Sequence, residues 1–378
     1  MAAGLEAVMG RGRPALLVLA LGLVACAAPT APPPTTAALI TPPPETAAAV
    51  RPTATRVPLT ATSEPTPTAT PAPTLIQLTT GECCTQPFWS PDGAQVWFID
   101  RPPDTGVTGV WAVDPAAPLT PSLVTERVGA FSPDGTLIAY PVGDRTVVER
   151  IADGEMWDVP AAGRAIQFSP DGQWIAWQVA SGTENFDRRL VEIWISRLDG
   201  SEPARVAQLF GGSLSGWMPD SQRLLITQRN TPGLPTTLGV FDPVSNTFQG
   251  LATGDFLRGI SVSTDGRWLA YTRQFSGDAE LDGIWIQPIE GGEPLRLTLY
   301  GAYRWRPDGR LLLLPLDPGA PAQRVVLVDA ATGQTEEAID PNETPLRILG
   351  GDWALSPDGR RIVFVNAVDR NLWLASLP

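Results

Sequence analysis

A six-residue turn recurs seven times along this 378-residue chain, and no other feature constrains the fold as tightly. The copies are FWSPDG at 88–93, AFSPDG at 130–135, QFSPDG at 167–172, GWMPDS at 216–221, SVSTDG at 261–266, RWRPDG at 304–309 and ALSPDG at 354–359. Their aspartates, Asp92, Asp134, Asp171, Asp220, Asp265, Asp308 and Asp358, lie 42, 37, 49, 45, 43 and 50 residues apart. A period near 44 residues means stacked supersecondary units, a propeller before a solenoid.

The turn chemistry says what each copy does. Proline presets φ, aspartate bonds nearby amides and glycine accepts a positive φ, so each motif reads as a hairpin turn between two strands. The runs that follow, such as QWIAW at 173–177, RWLAY at 267–271 and RIVFV at 361–365, carry large side chains on both faces and must be covered on both. A third strand with a central aromatic comes next (VWA at 110–112, IWI at 193–195 and 284–286, LWL at 372–374), then a fourth, as in LRLT at 295–298. Each repeat is a four-stranded meander. The predicted fold is all-β: a seven-bladed β-propeller of four-stranded antiparallel blades.

The last repeat lacks a fourth strand, and TLIQLT at 74–79 copies the LRLT pattern without a repeat of its own. It is expected to complete the seventh blade, antiparallel to the strand around Trp373, closing the ring and removing an open edge. Ser221 in place of the turn glycine makes the fourth repeat the expected deviant.

Composition then narrows the chemistry. All 27 basic residues are arginine, with no lysine and no histidine. Ser-His-Asp and Cys-His catalysis, histidine-ligated zinc, Schiff-base lysine and the P-loop lysine are excluded within this chain. GSLSG at 212–216 does not have nucleophile-elbow spacing either. The formal charge of -13 opposes nucleic-acid binding and adsorption to anionic lipid.

Membrane attachment is expected from the N-terminus. Arg11 and Arg13 precede an apolar run at 15–24, shorter than the roughly twenty residues of a spanning helix, which reads as a signal peptide. Leu23-Val24-Ala25-Cys26 resembles the bacterial lipoprotein box, which implies a lipid on Cys26 and a place in the cell envelope, on the extracytoplasmic side of a bacterial membrane. Glu6 is out of keeping with such a leader, and a start at Met9 suits it better than Met1. From 26 to 73 the chain is mostly proline, threonine and alanine, a disordered linker whose extended form reaches roughly 100 Å or more. The expected plan is a signal peptide at 1–25, the lipidated cysteine and linker at 26–73, and the propeller at 74–378.

The pattern FSPDGxxIAY is similar to the WD40-like (PD40) repeat of TolB-like β-propellers, over about residues 74–378. TolB itself has six blades and an extra α/β domain, so its particular partners do not carry over. The resemblance implies the fold and a general habit of protein or ligand binding.

Candidate sites follow from this plan. The seven motif aspartates are structural turns. The ligand or partner face is expected opposite them, where one blade passes to the next, with Glu82, Arg127, Arg164, Gln167, Ser261, Tyr303, Arg304 and Asp352 as candidates; a solvated, water-filled opening is the plainer alternative. Asp278, Glu280 and Asp282 match the start of a calcium loop, but Ile289 stands where a bidentate glutamate belongs. Cys83 and Cys84 can pair only with each other or with another molecule in an oxidising compartment once Cys26 is lipidated; a vicinal disulfide locking the loop is expected, with structural burial, redox sensing or metal capture as the alternatives. No cofactor is expected. The function expected is non-catalytic binding of an envelope or extracellular protein, or a small ligand, by a monomer; the alternatives are a carboxylate-dependent glycan hydrolase or lyase and a small-molecule sensor.

Overall fold

A computed structural model describes residues 74–378, except 183, 184, 186 and 187. The signal peptide, Cys26 and the linker lie outside the described residues. Among those described, every regular element is a strand, and no helix is long and apolar enough to cross a membrane.

In chain order the strands are β1 (Leu75–Gln77), β2 (Thr85–Trp89), β3 (Val96–Asp100), β4 (Gly109–Asp114), β5 (Ala117–Thr125), β6 (Ala130–Phe131), β7 (Leu137–Val142), β8 (Arg145–Arg150) and β9 (Met156–Val159). Next come β10 (Gln167–Phe168), β11 (Trp174–Ser181), β12 (Leu190–Arg197), β13 (Ala204–Trp217), β14 (Leu224–Arg229), β15 (Thr237–Asp242), β16 (Thr247–Thr253), β17 (Leu257–Val262) and β18 (Trp268–Arg273). The last are β19 (Gly283–Pro288), β20 (Leu295–Leu297), β21 (Gly301–Trp305), β22 (Leu311–Pro315), β23 (Val325–Val328), β24 (Thr335–Ile339), β25 (Ile348–Leu355), β26 (Arg361–Asn366) and β27 (Leu372–Ser376).

These strands build an all-β propeller. β2–β5, β6–β9, β17–β20 and β21–β24 are four-stranded blades, and β1 adds to β25–β27 as the fourth strand of a fifth. β10–β16 form one seven-stranded sheet, so the separate blades number five and not the seven expected. The reason is β13, fourteen residues that never leave the sheet. Its first half pairs with β12 and its second half with β14, with register shifts between Phe210 and Ser213 and again between Leu214 and Gly216. Such bulges bend a strand. Val191 and Ile193 of β12 accordingly share one core with Leu224 and Ile226 of β14, so the two halves of the sheet pack on each other.

The two-faced apolar runs are used as their pattern requires. Along β26, Ile362 and Phe364 face the β21–β24 blade, whereas Val363 and Val365 face the β2–β5 blade. Alternate residues of one strand thus fill two different cores.

The recurring motif explains the turns. In the first copy the Ser90 hydroxyl donates to Asp92 (2.6 Å) and accepts from the Gln95 amide (2.9 Å), while Asp92 accepts the Ala94 amide (3.0 Å). Ser132, Ser169, Ser263 and Ser356 make the same bond to their aspartates at 2.5–2.6 Å, and all five serines are buried. Successive turns also touch. A methyl group on Gly135 would come within 2.9 Å of Pro91, and one on Gly359 within 2.7 Å of Pro307. Gly172 faces Pro133, Gly266 faces Pro219, Gly309 faces Asp265, and Gly93 faces Pro357, which carries the contact from last turn to first. At the fourth turn Ser221, at φ 59°, has a hydroxyl that accepts the Asp171 amide at 2.9 Å. The seven turns therefore form a closed circle on one face.

The chain ends meet in the fifth blade. β1 runs antiparallel to β27 with Leu75, Ile76 and Gln77 opposite Ala375, Leu374 and Trp373. The pairing continues where the Leu78 amide donates to the Leu372 carbonyl (2.8 Å) and the Thr79 hydroxyl accepts the Leu372 amide (2.9 Å), both residues being buried.

Candidate functional site

Antiparallel alternation puts the motif turns on one face and the blade-to-blade crossovers, with the loops between second and third strands, on the other. On the motif face the turns are held by their own bonds, and beside them a cleft of about 620 Å³ opens between Arg150, Trp157, Arg197 and Leu198. Hydrogen bonds from Ser90 and the Ala94 amide hold Asp92 below the usual carboxylate range. Burial pushes Asp134, Asp265 and Asp358 upward, but the bonds from Ser132, Ser263 and Ser356 and from nearby amides outweigh it, and all three settle low. Asp220 and Asp308 lack the motif serine and are held low, against burial, by backbone amides and by Arg223 and Arg310.

The crossover face does not gather the eight candidate residues into one site. Asp352 accepts the Thr85 hydroxyl and the Gln86 amide, both at 3.3 Å, and so ties the fifth blade to the first. Glu82 is exposed and its amide donates to Asn371 (3.3 Å). Arg127 pairs with Glu149 (3.3 Å) above the Tyr140 ring, beside a cleft of about 330 Å³ that Met156 and Trp157 also line. Arg164 and Gln167 do come together, in a cleft of about 400 Å³ with Trp177 and Gln178. Gln167 and Ser261 offer the next unit their carbonyls, which accept the indole N–H groups of Trp217 (3.2 Å) and Trp305 (3.1 Å). Arg304 is exposed and lies over the Trp353 ring, where desolvation lowers its pKa. Tyr303 is corrected: at 6% exposure it packs between blades, its hydroxyl donating to the Gly259 carbonyl at 2.8 Å, and burial pushes its pKa up to about 12.

The three calcium candidates are engaged within their own loop. Asp278 accepts the Glu280 amide (2.9 Å), Asp282 accepts the Ser276 amide (3.0 Å), and Glu280 pairs with Arg296 (3.3 Å). Cys83 and Cys84 are joined as a vicinal disulfide in the loop after β1, with the Thr79 hydroxyl 2.8 Å from Cys83 Sγ. Asp100 lies close to both sulfurs, but the three could hold a metal only with the disulfide reduced to thiolates.

None of the eight candidates lies at the crossover from β16 to β17. Phe256 projects there beside a cleft of about 550 Å³ between the second half of the seven-stranded sheet and the β17–β20 blade. Leu234, Arg229 and Arg258 share its walls. Arg258 also lines an adjoining cleft of about 350 Å³ with Tyr300 and Leu316. The available signal was an aromatic residue beside turn formers, in GDF at 254–256 and FSGD at 275–278.

Among the described residues, every carboxylate whose pKa departs from its ordinary value departs downward.

No protein-family model matches the chain, and no curated protein matches it in sequence. Its fold is similar to solved structures. An oligogalacturonate lyase in complex with manganese aligns with a TM-score of 0.58 and 17% identity, over 80% of this chain and 93% of that one. The oligogalacturonate lyase of Vibrio parahaemolyticus aligns with a TM-score of 0.57 and 10% identity, over 81% and 97%. A putative TolB from Agrobacterium tumefaciens aligns at 0.42 and 20% identity, over 68% and 94%. At these identities the likeness is one of fold.

Proposed function

We propose that this chain is a non-catalytic binding module: a TolB-like propeller, carried outside a bacterial membrane by lipid on Cys26, whose crossover face receives a protein partner or an extracellular ligand. The observation that carries the reading is the run of clefts at the blade junctions. The crossover face opens clefts with arginine and aromatic or aliphatic walls at several junctions, and one more, of about 620 Å³, opens on the motif face beside Trp157 and Arg197. Clefts of this size suit ligand binding. The folded seven-stranded sheet counts in this reading as two repeat units sharing β13, which matches seven motifs and seven turn contacts.

Capture from a native envelope extract tests the reading. Charge reversals on the crossover face, Arg127→Glu with Arg164→Glu, should lose the captured species, and equal capture by wild type and variant overturns it. Cys26→Ala should move the protein from membranes to the soluble fraction; unchanged membrane association removes the lipid anchor.

The second reading is a carboxylate-dependent glycan lyase or hydrolase, favoured by the two lyase-like folds. Oligogalacturonate incubated with the purified chain should give no rise in the ultraviolet absorbance of an unsaturated product. Turnover would replace the binding reading with the enzymatic one.

A further inference from the structure

The wall between β16 and β17 combines features that a folded chain avoids unless something uses them. Phe256 is 53% exposed and Phe275 is 76% exposed. Both also have φ 57°, a left-handed conformation that is unfavourable for a bulky side chain. Their rings meet edge to face, with centroids 6.0 Å apart, and so form a fixed aromatic corner in solvent. Leu234, 49% exposed, lines the adjoining cleft with Phe256.

The polar groups of the cleft decide what it can take. The Ser213 and Thr227 hydroxyls are bonded to each other (3.0 Å), and the Thr227 hydroxyl also accepts the Ser213 amide (3.1 Å). Arg229 donates to the Thr236 hydroxyl and pairs with Asp255 (3.3 Å). Each of these groups is engaged, although Arg229 Nε is buried without a partner. Arg258 lines the same cleft, is exposed, and has no hydrogen-bond or ion-pair partner among the described residues. An aromatic corner, an aliphatic wall and one free guanidinium are complementary to one anionic group on an apolar body.

We propose that this cleft binds a small apolar carboxylate, its carboxylate on Arg258 and its flat apolar part on Phe256 and Phe275. The proposal rests on the binding-module reading and gives one of its clefts a ligand class. The ligand chemistry is that of an aromatic acid, whether free or as the C-terminal aromatic residue of a peptide.

Calorimetric titration of the full chain with 3-phenylpropionate tests it. Saturable binding is expected, at least about tenfold tighter than 3-phenylpropanol, which lacks the charge. Arg258→Gln should weaken it about tenfold, and Arg258→Lys should restore part of the loss. Phe256→Gly is the decisive variant, because glycine suits φ 57°. Its melting temperature should hold or rise while affinity falls about tenfold, which a structural role for Phe256 would not produce. A peptide ending in phenylalanine, with a free or an amidated terminus, separates the sources: binding of the free terminus alone supports the proposal and assigns a peptide source. No saturable binding by phenylpropionate or the peptide, binding unchanged in Phe256→Gly, or preference for trigalacturonate overturns it. Failure here with successful envelope capture leaves the binding-module reading standing, whereas oligogalacturonate turnover removes that reading without bearing on this titration.

Discussion

At the scale of the residue, proline, aspartate and glycine of the motif were legible because each has a known task in a turn. The serine was not, since a hydroxyl before proline gives no warning that it will be buried and bonded to both the aspartate and the amide that reopens the strand. Two copies depart from it, with Met218 and Arg306 in the serine position. Arg306 is 7% exposed, with Nη1 buried and unbonded and Nε 3.3 Å from Asp308. Arg306→Ser should restore the bond made in five other turns and stabilise the protein by about 1 kcal/mol in urea unfolding; a loss of stability would mean that the Asp308 pair matters more than the orphaned group costs. The turns also set an acid limit. Carboxylates held low in the folded state contribute stability that is present above their unfolded pKa, near 3.9, and is lost as pH falls through the lower folded value. Asp92, Asp134, Asp265 and Asp358 are such groups. Melting temperature should hold from pH 7 to about 5 and fall steeply below about 4. Asp265→Asn should flatten that fall, and an unchanged profile would exclude Asp265 from it.

At the scale of the element, strand type and order were legible because turn signals and two-faced apolar runs alternate at a fixed period. The count of separate sheets was not, because no turn signal shows that Gly211-Gly212 bends one strand inside β13 rather than ending it. Gly212 shows what holds the bend: a β-carbon there would collide with the Thr227 carbonyl in β14. Gly212→Ala should destabilise by about 2 kcal/mol or more, because backbone cannot yield as a side-chain tip can. Gly351→Ala, with open space around it and, like Gly212, no positive φ, is the control for adding a methyl group to a strand glycine. Equal losses in the two variants would mean that β13 is not pinned at Gly212. The candidate face was legible only in part, for a related reason. Sequence pattern located the crossovers, but whether a loop aromatic packs or projects depends on tertiary neighbours, so Tyr303 was misplaced outward and Phe256 was passed over.

At the scale of the whole molecule, a ring without covalent joints depends on how its first and last described strands are joined, and here both lie in the fifth blade. At two junctions an indole N–H clasps the preceding unit, as Trp217 does to Gln167 and Trp305 to Ser261. Trp89 stands at the corresponding place, yet its indole N–H is buried without a partner, and Arg361 covers the ring instead while donating to the Gly93 carbonyl at 2.9 Å. Within the fifth blade, β1 supplies the fourth strand and covers the edge of β27. A chain beginning at residue 70 keeps β1, Leu78 and Thr79, and should melt as the full chain does. A chain beginning at residue 81 loses the β1–β27 ladder, the Leu78 and Thr79 bonds to Leu372, and a fully buried leucine. At about 1 kcal/mol for each net hydrogen bond and about 2 kcal/mol for the leucine, the loss is several kcal/mol against a total of about 5–15. It also bares the edge of β27, a template for pairing with another chain. The shorter chain should unfold at markedly lower urea and aggregate as it does so. If both chains melt together, β1 does not hold the ring, and Arg361 with the circle of turns must close it alone.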